Sequence, residues 1–390
     1  MQSGCCGDSS AGAEAAVDSP FDNAGRVRYL SALRWPGDPG KARRRLLDAR
    51  SIRARKQRWH DTLSGGPTAG HLFLISYAPD AIERPLPWPN LKAERIEYSW
   101  EVYIRHRARS EWLLDDSIPH LNVYTGTEIF AEAFGCEVHR PPNDMPCAKS
   151  LLRSASEVAR LRVPPVSDSS LGLLFEIADE LRRRAGEDAT LKIVDLQSPM
   201  DTASLIWNKT DFLAALYESP EAVRELAAKV AELMTSFLDL WFARYGRDLV
   251  AHYPDYYMPV GVTLSEDDVG VVSPGAFREF YMPELAMFSH RYGGIGLHCC
   301  ADAVHQWDNF ARVPGLRVLN LVQPETVLRA AYPRFAQSAV QFHSWSGDGP
   351  PWERPAVFPQ GSRVVIEAGA ATRDEALELS DRLWQACGRN

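Results

Sequence analysis

The sequence has no run of apolar residues long enough for a transmembrane helix, which needs about 18 to 20 of them. Its first residues also lack the charged, then apolar, then small-residue order of a signal peptide. The seven cysteines among 390 residues are odd in number and irregularly spaced, so no disulfide framework is expected. These absences predict a cytoplasmic protein with no membrane partner.

Basic residues are outnumbered, since 43 Lys and Arg against 51 Asp and Glu give a net charge of −8. A surface of that sign repels nucleic-acid phosphates, so nucleic acid is not an expected partner. No Gly-rich turn of the dinucleotide-binding type follows an early strand, and no phosphate loop ending in Lys-Ser/Thr is present. Nicotinamide and nucleotide chemistry therefore have no support in the sequence.

What the sequence does contain is an alternation of short apolar runs with amphipathic stretches. Such an alternation predicts an α/β protein with parallel strands, and eight strands are the number that closes a (β/α)8 TIM barrel. A doubly wound open sheet is the alternative. The predicted strands cover residues 71–77, 120–124, 191–196, 258–264, 295–300, 317–322, 339–345 and 363–368. The predicted helices cover residues 128–134, 171–184, 211–216, 220–245, 274–292 and 373–386.

Three segments of different composition suggest the domain organisation. Residues 1–24 are small and polar and predict a disordered leader, residues 25–70 predict a helical extension, and residues 71–390 predict the barrel. The second helix of the extension is rich in Lys and Arg between Lys41 and Arg58. Two interpretations remain open for it, a solvated helix face or a basic wall for an anionic substrate or partner.

Polar residues follow most of the predicted strands, where a parallel barrel carries its reacting groups. In the segment 296–302, His298 and Cys300 are two residues apart and so share one face of a strand, while Cys299 points to the opposite layer. An imidazole and a thiolate can hold a zinc-like metal if a further ligand is present. Core packing and metal-free catalysis, with Cys300 as nucleophile or His298 as general acid/base, are the alternatives.

Three consecutive carboxylates, Glu266, Asp267 and Asp268, follow another predicted strand directly. Crowded carboxylates raise one another's pKa, which suits general acid/base work or recognition of a cation or metal. A helix cap is the structural alternative, because a helix is predicted to begin soon afterwards at Pro274.

Taken in order, these segments resemble the uroporphyrinogen decarboxylase (URO-D) superfamily, specifically its decarboxylase-like branch that includes corrinoid-dependent methyltransferases. The resemblance rests on the order and spacing of several elements rather than on any one of them. They are Thr125–Val138, Leu196–Ala203, Tyr217–Glu221, Ser265–Asp268 with Val271–Pro274, and Leu297–Asp302.

The resemblance implies a (β/α)8 barrel with its site at the carboxyl-terminal mouth. In the methyltransferase members a zinc is held by the His and Cys of a His-x-Cys element and by a Cys near the last strand. His298 and Cys300 match the first two ligands, whereas Ala370 stands at the position of the third. A corrinoid-linked methyl donor, a corrinoid protein as partner and a homodimer are further expectations.

The leading interpretation is metal-assisted methyl transfer, or related chemistry, on a small substrate. The expected catalytic residues are Asp267, Asp268, His298 and Tyr124, the expected substrate-binding residues are Gln197, Glu266, Asn320 and His343, and the expected metal ligands are His298 and Cys300. One alternative is a decarboxylase of a tetrapyrrole or another acid, although the Arg-Gln-Ala-Gly-Arg-Tyr segment that grips substrate carboxylates in true uroporphyrinogen decarboxylases is absent. The other is a non-catalytic barrel that docks a partner through its basic helix.

Overall fold

The structure, a computed structural model, describes residues 49–65, 70–343 and 347–389. The predicted leader, most of the predicted extension and the end of the predicted strand 339–345 lie outside these residues. Within them, no helix is both long enough and apolar enough to cross a membrane.

The strands within the described ranges form two main parallel sheets and a small hairpin pair. They are β1 (Leu72–Tyr77), β2 (His120–Asn122), β3 (Val138–His139), β4 (Cys147–Ala148), β5 (Thr190–Lys192), β6 (Leu249–Val250), β7 (Tyr257–Met258), β8 (Val262–Ser265), β9 (Ile295–Cys299), β10 (Leu316–Leu321), β11 (Val340–Phe342) and β12 (Val364–Ala370). The larger sheet has the order β1-β12-β11-β10-β9-β8, and every neighbouring pair in it is parallel. The prediction of parallel strands is therefore confirmed.

The second sheet has the order β2-β5-β6-β7 and is parallel except for its last pair. Its two sides approach the larger sheet through short contacts. Gln197, beyond β5, forms a parallel bridge with Ser265 of β8. On the other side, the amide of Asp116, in the chain that leads into β2, donates to the carbonyl of Phe73 in β1 at 2.9 Å. These two contacts link the smaller sheet to the larger one.

The helices that alternate with these strands include several that the sequence predicted. They are α1 (Ile52–Ser64), α2 (Lys92–Trp112), α3 (Ile129–Ala133), α4 (Ala155–Val158), α5 (Gly172–Ala185), α6 (Pro199–Ile206), α7 (Lys209–Glu218), α8 (Pro220–Tyr245), α9 (Pro274–Ala276), α10 (Met282–Tyr292), α11 (Trp307–Phe310), α12 (Glu325–Phe335) and α13 (Arg373–Ala386). The predicted bounds of α8 and α13 are confirmed residue for residue. Both begin with clear signals, a first-turn Pro in α8 and a Thr372 hydroxyl that accepts from the Glu375 amide in α13.

Five of these helices, α2, α4, α6, α11 and α12, were not predicted, and the longest of them shows why. The buried face of α2 carries Arg95 and Arg109 beside Ile96 and Tyr103, so charged residues interrupt its apolar periodicity. The predicted helix over 274–292 is also divided, because a π-helical segment, Phe277–Tyr281, separates α9 from α10. The predicted strand over 258–264 was wrong as one element: the chain turns between β7 and β8, where Gly261 has a φ of 130° that favours glycine.

In the described part of the basic segment, helix α1 uses some of its basic side chains in internal ion pairs, while Arg53 is exposed. Arg55 is 0% exposed and pairs with the buried carboxylate of Asp115, and Arg58 pairs with Asp116. The two aspartates in turn accept backbone amides of β1, at Ile75 and at Phe73. These two arginines therefore neutralise the carboxylates that complete the edge of β1.

We expect Arg55→Met to destabilise the protein by about 3 to 5 kcal/mol, because it leaves the Asp115 carboxylate buried without its cation. Chemical denaturation of the variant and the parent measures this difference. Arg53→Met, an exposed position on the same helix, is the matched control and should change the free energy of unfolding by less than about 0.5 kcal/mol. Equal effects of the two substitutions would contradict the role given to Arg55.

Candidate functional site

The candidate site forms where β8, β9 and β10 end side by side. Because neighbouring parallel strands end at the same edge of a sheet, residues that follow them come together there. In the register of the sheet, His298 of β9 lies opposite Ser265 of β8 on one side and opposite Asn320 of β10 on the other. The acidic segment after β8 therefore leaves the sheet beside His298, and Cys300 follows β9 directly.

Three potential ligands converge at this edge. One carboxylate oxygen of Asp267, one ring nitrogen of His298 and the Cys300 sulfur all lie within 4.8 Å of one another. His298 is 8% exposed, Asp267 is half-buried and Cys300 is exposed, so the cluster is anchored on the protein side and open on the other. The amide of Cys300 also donates to Asp267 Oδ1 at 2.6 Å, which ties the two loops together.

Hydrogen bonds on the far side of the imidazole fix the tautomer of His298. The Asn320 side-chain nitrogen donates to the carbonyl of Phe342, so its Oδ1 is the atom that faces His298 Nδ1 at 2.5 Å. An oxygen can only accept there, and Nδ1 therefore carries the proton. The remaining nitrogen, Nε2, keeps its lone pair, which is the arrangement that metal-bound histidines have.

Two residues of the loop between β6 and β7 pack against the site. The ring of Tyr253 meets that of His298 edge to face, with centroids 4.9 Å apart. His252 lies between the hydroxyls of Thr263 and Ser265, at 2.9 and 2.8 Å, and burial lowers its pKa well below the ordinary value. Neither residue was predicted, because their loop has no periodic pattern. The one available signal was their position directly after a strand, β6, in a chain whose strands and helices alternate.

Comparison with known proteins now adds to this geometry. The family model described as Uroporphyrinogen decarboxylase (URO-D) matches residues 121–341, more than half of the chain. The chain belongs to the URO-D family. A solved structure, a methyltransferase from Methanosarcina mazei, aligns with a TM-score of 0.60 at 15% identity and covers 87% of this chain and 98% of that one. At this identity the likeness shows a shared fold. No curated protein matches the chain.

The resemblance to the URO-D superfamily is thus confirmed by the match over residues 121–341, and so is the predicted α/β fold, whereas the position expected for a third ligand differs. Ala370 ends β12 as a buried methyl group and offers no ligand atom. Asp267 is the carboxylate that lies with His298 and Cys300 instead. Cys299 is buried among apolar side chains, as its place in the strand predicted.

The other two carboxylates of the acidic segment lie apart from the cluster in this URO-D-family protein. Asp268 is buried and pairs with Lys209. Glu266 is 1% exposed and accepts from the Ser198 hydroxyl at 2.9 Å. Burial and the nearby Asp201 raise the pKa of Glu266 well above its ordinary range. A direct contact of Glu266 with substrate, which the sequence analysis expected, has no support in this geometry.

The remaining predicted residues are used in different ways. Asn320 is buried and orients His298, which makes it a positioning residue. His343 accepts from the Leu321 amide and faces Gln341, and burial lowers its pKa to about 3, so it stays neutral. Gln197 donates to the Asp195 carboxylate at 3.0 Å. The backbone bridge between Gln197 and Ser265 places Gln197 beside the strand that leads into the acidic segment.

Tyr124 lies at the end of β2, with the Arg84 guanidinium 4.4 Å from its ring and its hydroxyl 3.2 Å from the Met145 sulfur. Close to it along the chain is Glu128, 3% exposed, whose Oε2 has no hydrogen-bond partner among the described atoms. Burial raises the pKa of Glu128 to about 7.

We expect Glu128→Gln to change how stability depends on pH. Because the folded carboxyl has a pKa of about 7 and an unfolded one about 4.3, the folded state keeps a proton that the unfolded chain releases. The stability that Glu128 contributes is present below about pH 4.3 and is lost as the pH rises through 7. The free energy of unfolding of the variant, taken relative to that of the parent, should therefore increase by about 2 kcal/mol between pH 5 and pH 8.

Denaturation at several pH values measures this gain. Glu187→Gln, at an exposed turn, is the control and should follow the parent at every pH. A constant difference between Glu128→Gln and the parent would show that Glu128 is ionised throughout.

Proposed function

We propose that this protein is a metal-dependent enzyme that transfers a methyl group, or performs related chemistry, on a small substrate. The observation that carries the proposal is the convergence of Asp267, His298 and Cys300 within 4.8 Å at the carboxyl ends of two adjacent strands. Family membership supports an enzyme, and the solved methyltransferase shows that the same fold serves methyl transfer in another protein.

The three side chains fit a zinc ion by the chemistry of their donor atoms. Zinc takes thiolate, imidazole and carboxylate ligands, and catalytic zinc sites combine three protein ligands with one open position. Asp267 would then be the third ligand, in place of the side chain that Ala370 lacks. Zinc bound in this way acts as a Lewis acid and favours the thiolate form of a thiol substrate.

The neighbouring residues of the chain prepare this site in three ways. Asn320 holds the imidazole of His298 in the tautomer that leaves Nε2 free. The ring of Tyr253 covers one side of the same imidazole and limits the approach of water. Burial raises the pKa of Asp195, so this carboxyl holds a proton more readily than an exposed one and can exchange it with a bound substrate.

We place this site at the mouth of a closed eight-stranded barrel preceded by the helical extension over residues 25–70. The Gln197–Ser265 bridge and the Asp116–Phe73 bond support closure on the two sides where the sheets meet. We further propose a corrinoid-linked methyl donor, delivered by a corrinoid protein, a cytoplasmic location and a homodimeric enzyme.

Metal analysis tests the ligand set directly. Protein purified without a His-tag should contain about one zinc per chain, and Asp267→Ala, His298→Ala and Cys300→Ser should each fall to about 0.1 or less, because two ligands hold zinc poorly. His290→Ala and Cys147→Ser, both exposed positions away from the cluster, are matched controls that should retain the metal. A parent protein with less than about 0.1 metal per chain after zinc loading would rule out the proposed site.

A transfer assay tests the reaction. Zinc-loaded protein is mixed with methylcobalamin and 2-mercaptoethanol, and loss of the methylcobalamin absorbance is followed together with the methylated thiol by mass spectrometry. We expect His298→Ala to lower the rate by about 100-fold or more, because the metal contributes several kcal/mol to the transition state. His290→Ala should keep the parent rate. Decarboxylation of uroporphyrinogen without any methyl transfer would assign the site to the decarboxylase reaction instead.

A further inference from the structure

We infer that Asp201, on helix α6, is a positioning residue that holds the Asp267 carboxylate beside His298 and Cys300, and that Glu266 holds Asp201 in turn. This inference rests on the proposed function, since it concerns how the proposed third ligand is kept in place. The sequence analysis included Asp201 only as part of the segment Leu196–Ala203 and gave it no role.

The two oxygens of Asp201 are both used on the acidic segment. Asp201 Oδ2 accepts the amide of Asp267 at 2.6 Å, and Oδ1 accepts the amide of Asp268 at 3.2 Å. Asp201 itself is 4% exposed, so water does not compete for these bonds. The carboxylate therefore fixes the backbone at two consecutive amides directly after β8. Because the backbone is fixed there, the direction of the Asp267 side chain is fixed as well.

The same chain of contacts continues to the other ligands. Asp267 Oδ1 accepts the Cys300 amide at 2.6 Å, which sets the distance between the carboxylate and the end of β9. The Glu266 amide donates to the carbonyl of His298 at 2.8 Å. The acidic segment is thus fixed by two sets of hydrogen bonds. One set joins it to Asp201 on helix α6, and the other joins it to the backbone at His298 and Cys300.

Asp201 is held by a short network of its own. Its amide donates to the Ser198 hydroxyl at 3.1 Å, and that hydroxyl donates to Glu266 Oε1 at 2.9 Å. The side chains of Glu266 and Asp201 also hydrogen-bond to each other. Glu266, which is joined to Asp201 both directly and through Ser198, is therefore in a position to hold the Asp201 side chain against the acidic segment.

A purely structural contact between α6 and β8 would not need this arrangement. Burying two carboxyl groups is expensive, and apolar side chains of similar volume would join a helix to a strand at lower free-energy cost. A carboxylate is the small side chain that offers two acceptor oxygens to two adjacent amides. What the network adds over apolar packing is a defined orientation for Asp267.

The first experiment measures zinc affinity by competition with a chromogenic chelator. Asp201→Ala should lower the affinity by about 10- to 100-fold, the effect typical of residues that support metal ligands. Glu266→Gln keeps both a donor for Asp201 and an acceptor for Ser198, so it should stay within about threefold of the parent, while Glu266→Ala should not. Asp211→Ala removes an exposed acid from the first turn of α7 and serves as the matched control.

The second experiment works without metal and separates this inference from the proposed function. In chelator-treated protein, the rate of Cys300 alkylation by iodoacetamide is measured by peptide mass spectrometry, with the exposed Cys147 as internal reference. A carboxylate close to a thiol disfavours the thiolate, so Asp267→Asn should raise the ratio of the Cys300 rate to the Cys147 rate about fivefold. Asp201→Ala should raise the ratio similarly, because it releases Asp267.

The double variant Asp201→Ala/Asp267→Asn decides whether Asp201 acts through Asp267. We expect it to react no faster than Asp267→Asn alone, whereas independent roles would give additive effects and overturn the inference. An unchanged ratio in Asp201→Ala would also overturn it. If Asp201→Ala does not fold, Asp201→Asn, which keeps one acceptor oxygen, takes its place. A parent without zinc affinity would end the proposed function, while the alkylation ratios would still decide the role of Asp201.

Discussion

The pairing of β8, β9 and β10 as parallel neighbours is the constraint on which the candidate site depends. Their register places Ser265, His298 and Asn320 in one row, so the segments that follow the strands leave the sheet at the same edge. Within that row, the Asn320 amide decides which nitrogen of His298 is free. A shift of one residue in β10 would turn Asn320 to the opposite face and leave the imidazole without its partner.

Buried charge is handled in two different ways in this protein. Where carboxylates complete the edge of β1, arginines of α1 neutralise them, as Arg55 does for Asp115. Beneath the candidate site, the buried carboxyl groups of Asp201 and Glu266 accept from backbone amides and from the Ser198 hydroxyl instead. The first arrangement joins elements of the fold. The second fixes the acidic segment beside the site, where Lys209 pairs with Asp268.

Membership of the URO-D family and the details of this site are separate facts. The family match covers the part of the chain from β2 to β11, which includes most strands of both main sheets. The proposed ligand set departs from the expected methyltransferase pattern at Ala370, and Asp267 is the carboxylate within reach of the other two side chains. Ala370 lies at the end of β12, and Asp267, which would compensate for it, follows β8. Such a pair of differences is compatible with an unchanged fold, because residues at strand ends vary more freely than residues within the strands.

The sequence by itself determined the alternation of strands and helices, the bounds of α8 and α13, and the shared face of His298 and Cys300, because periodicity and capping are local properties of the chain. It missed α2, whose buried face carries arginines, and it expected catalysis from Asp267 and Asp268 and substrate binding from Glu266 without distinguishing their burial. Only the tertiary structure separated them, by burying Glu266 against α6, pairing Asp268 with Lys209 and bringing Asp267 to His298. These contacts join residues distant in sequence, and the burial that decides the state of a carboxyl exists only once the sheet and helices have packed.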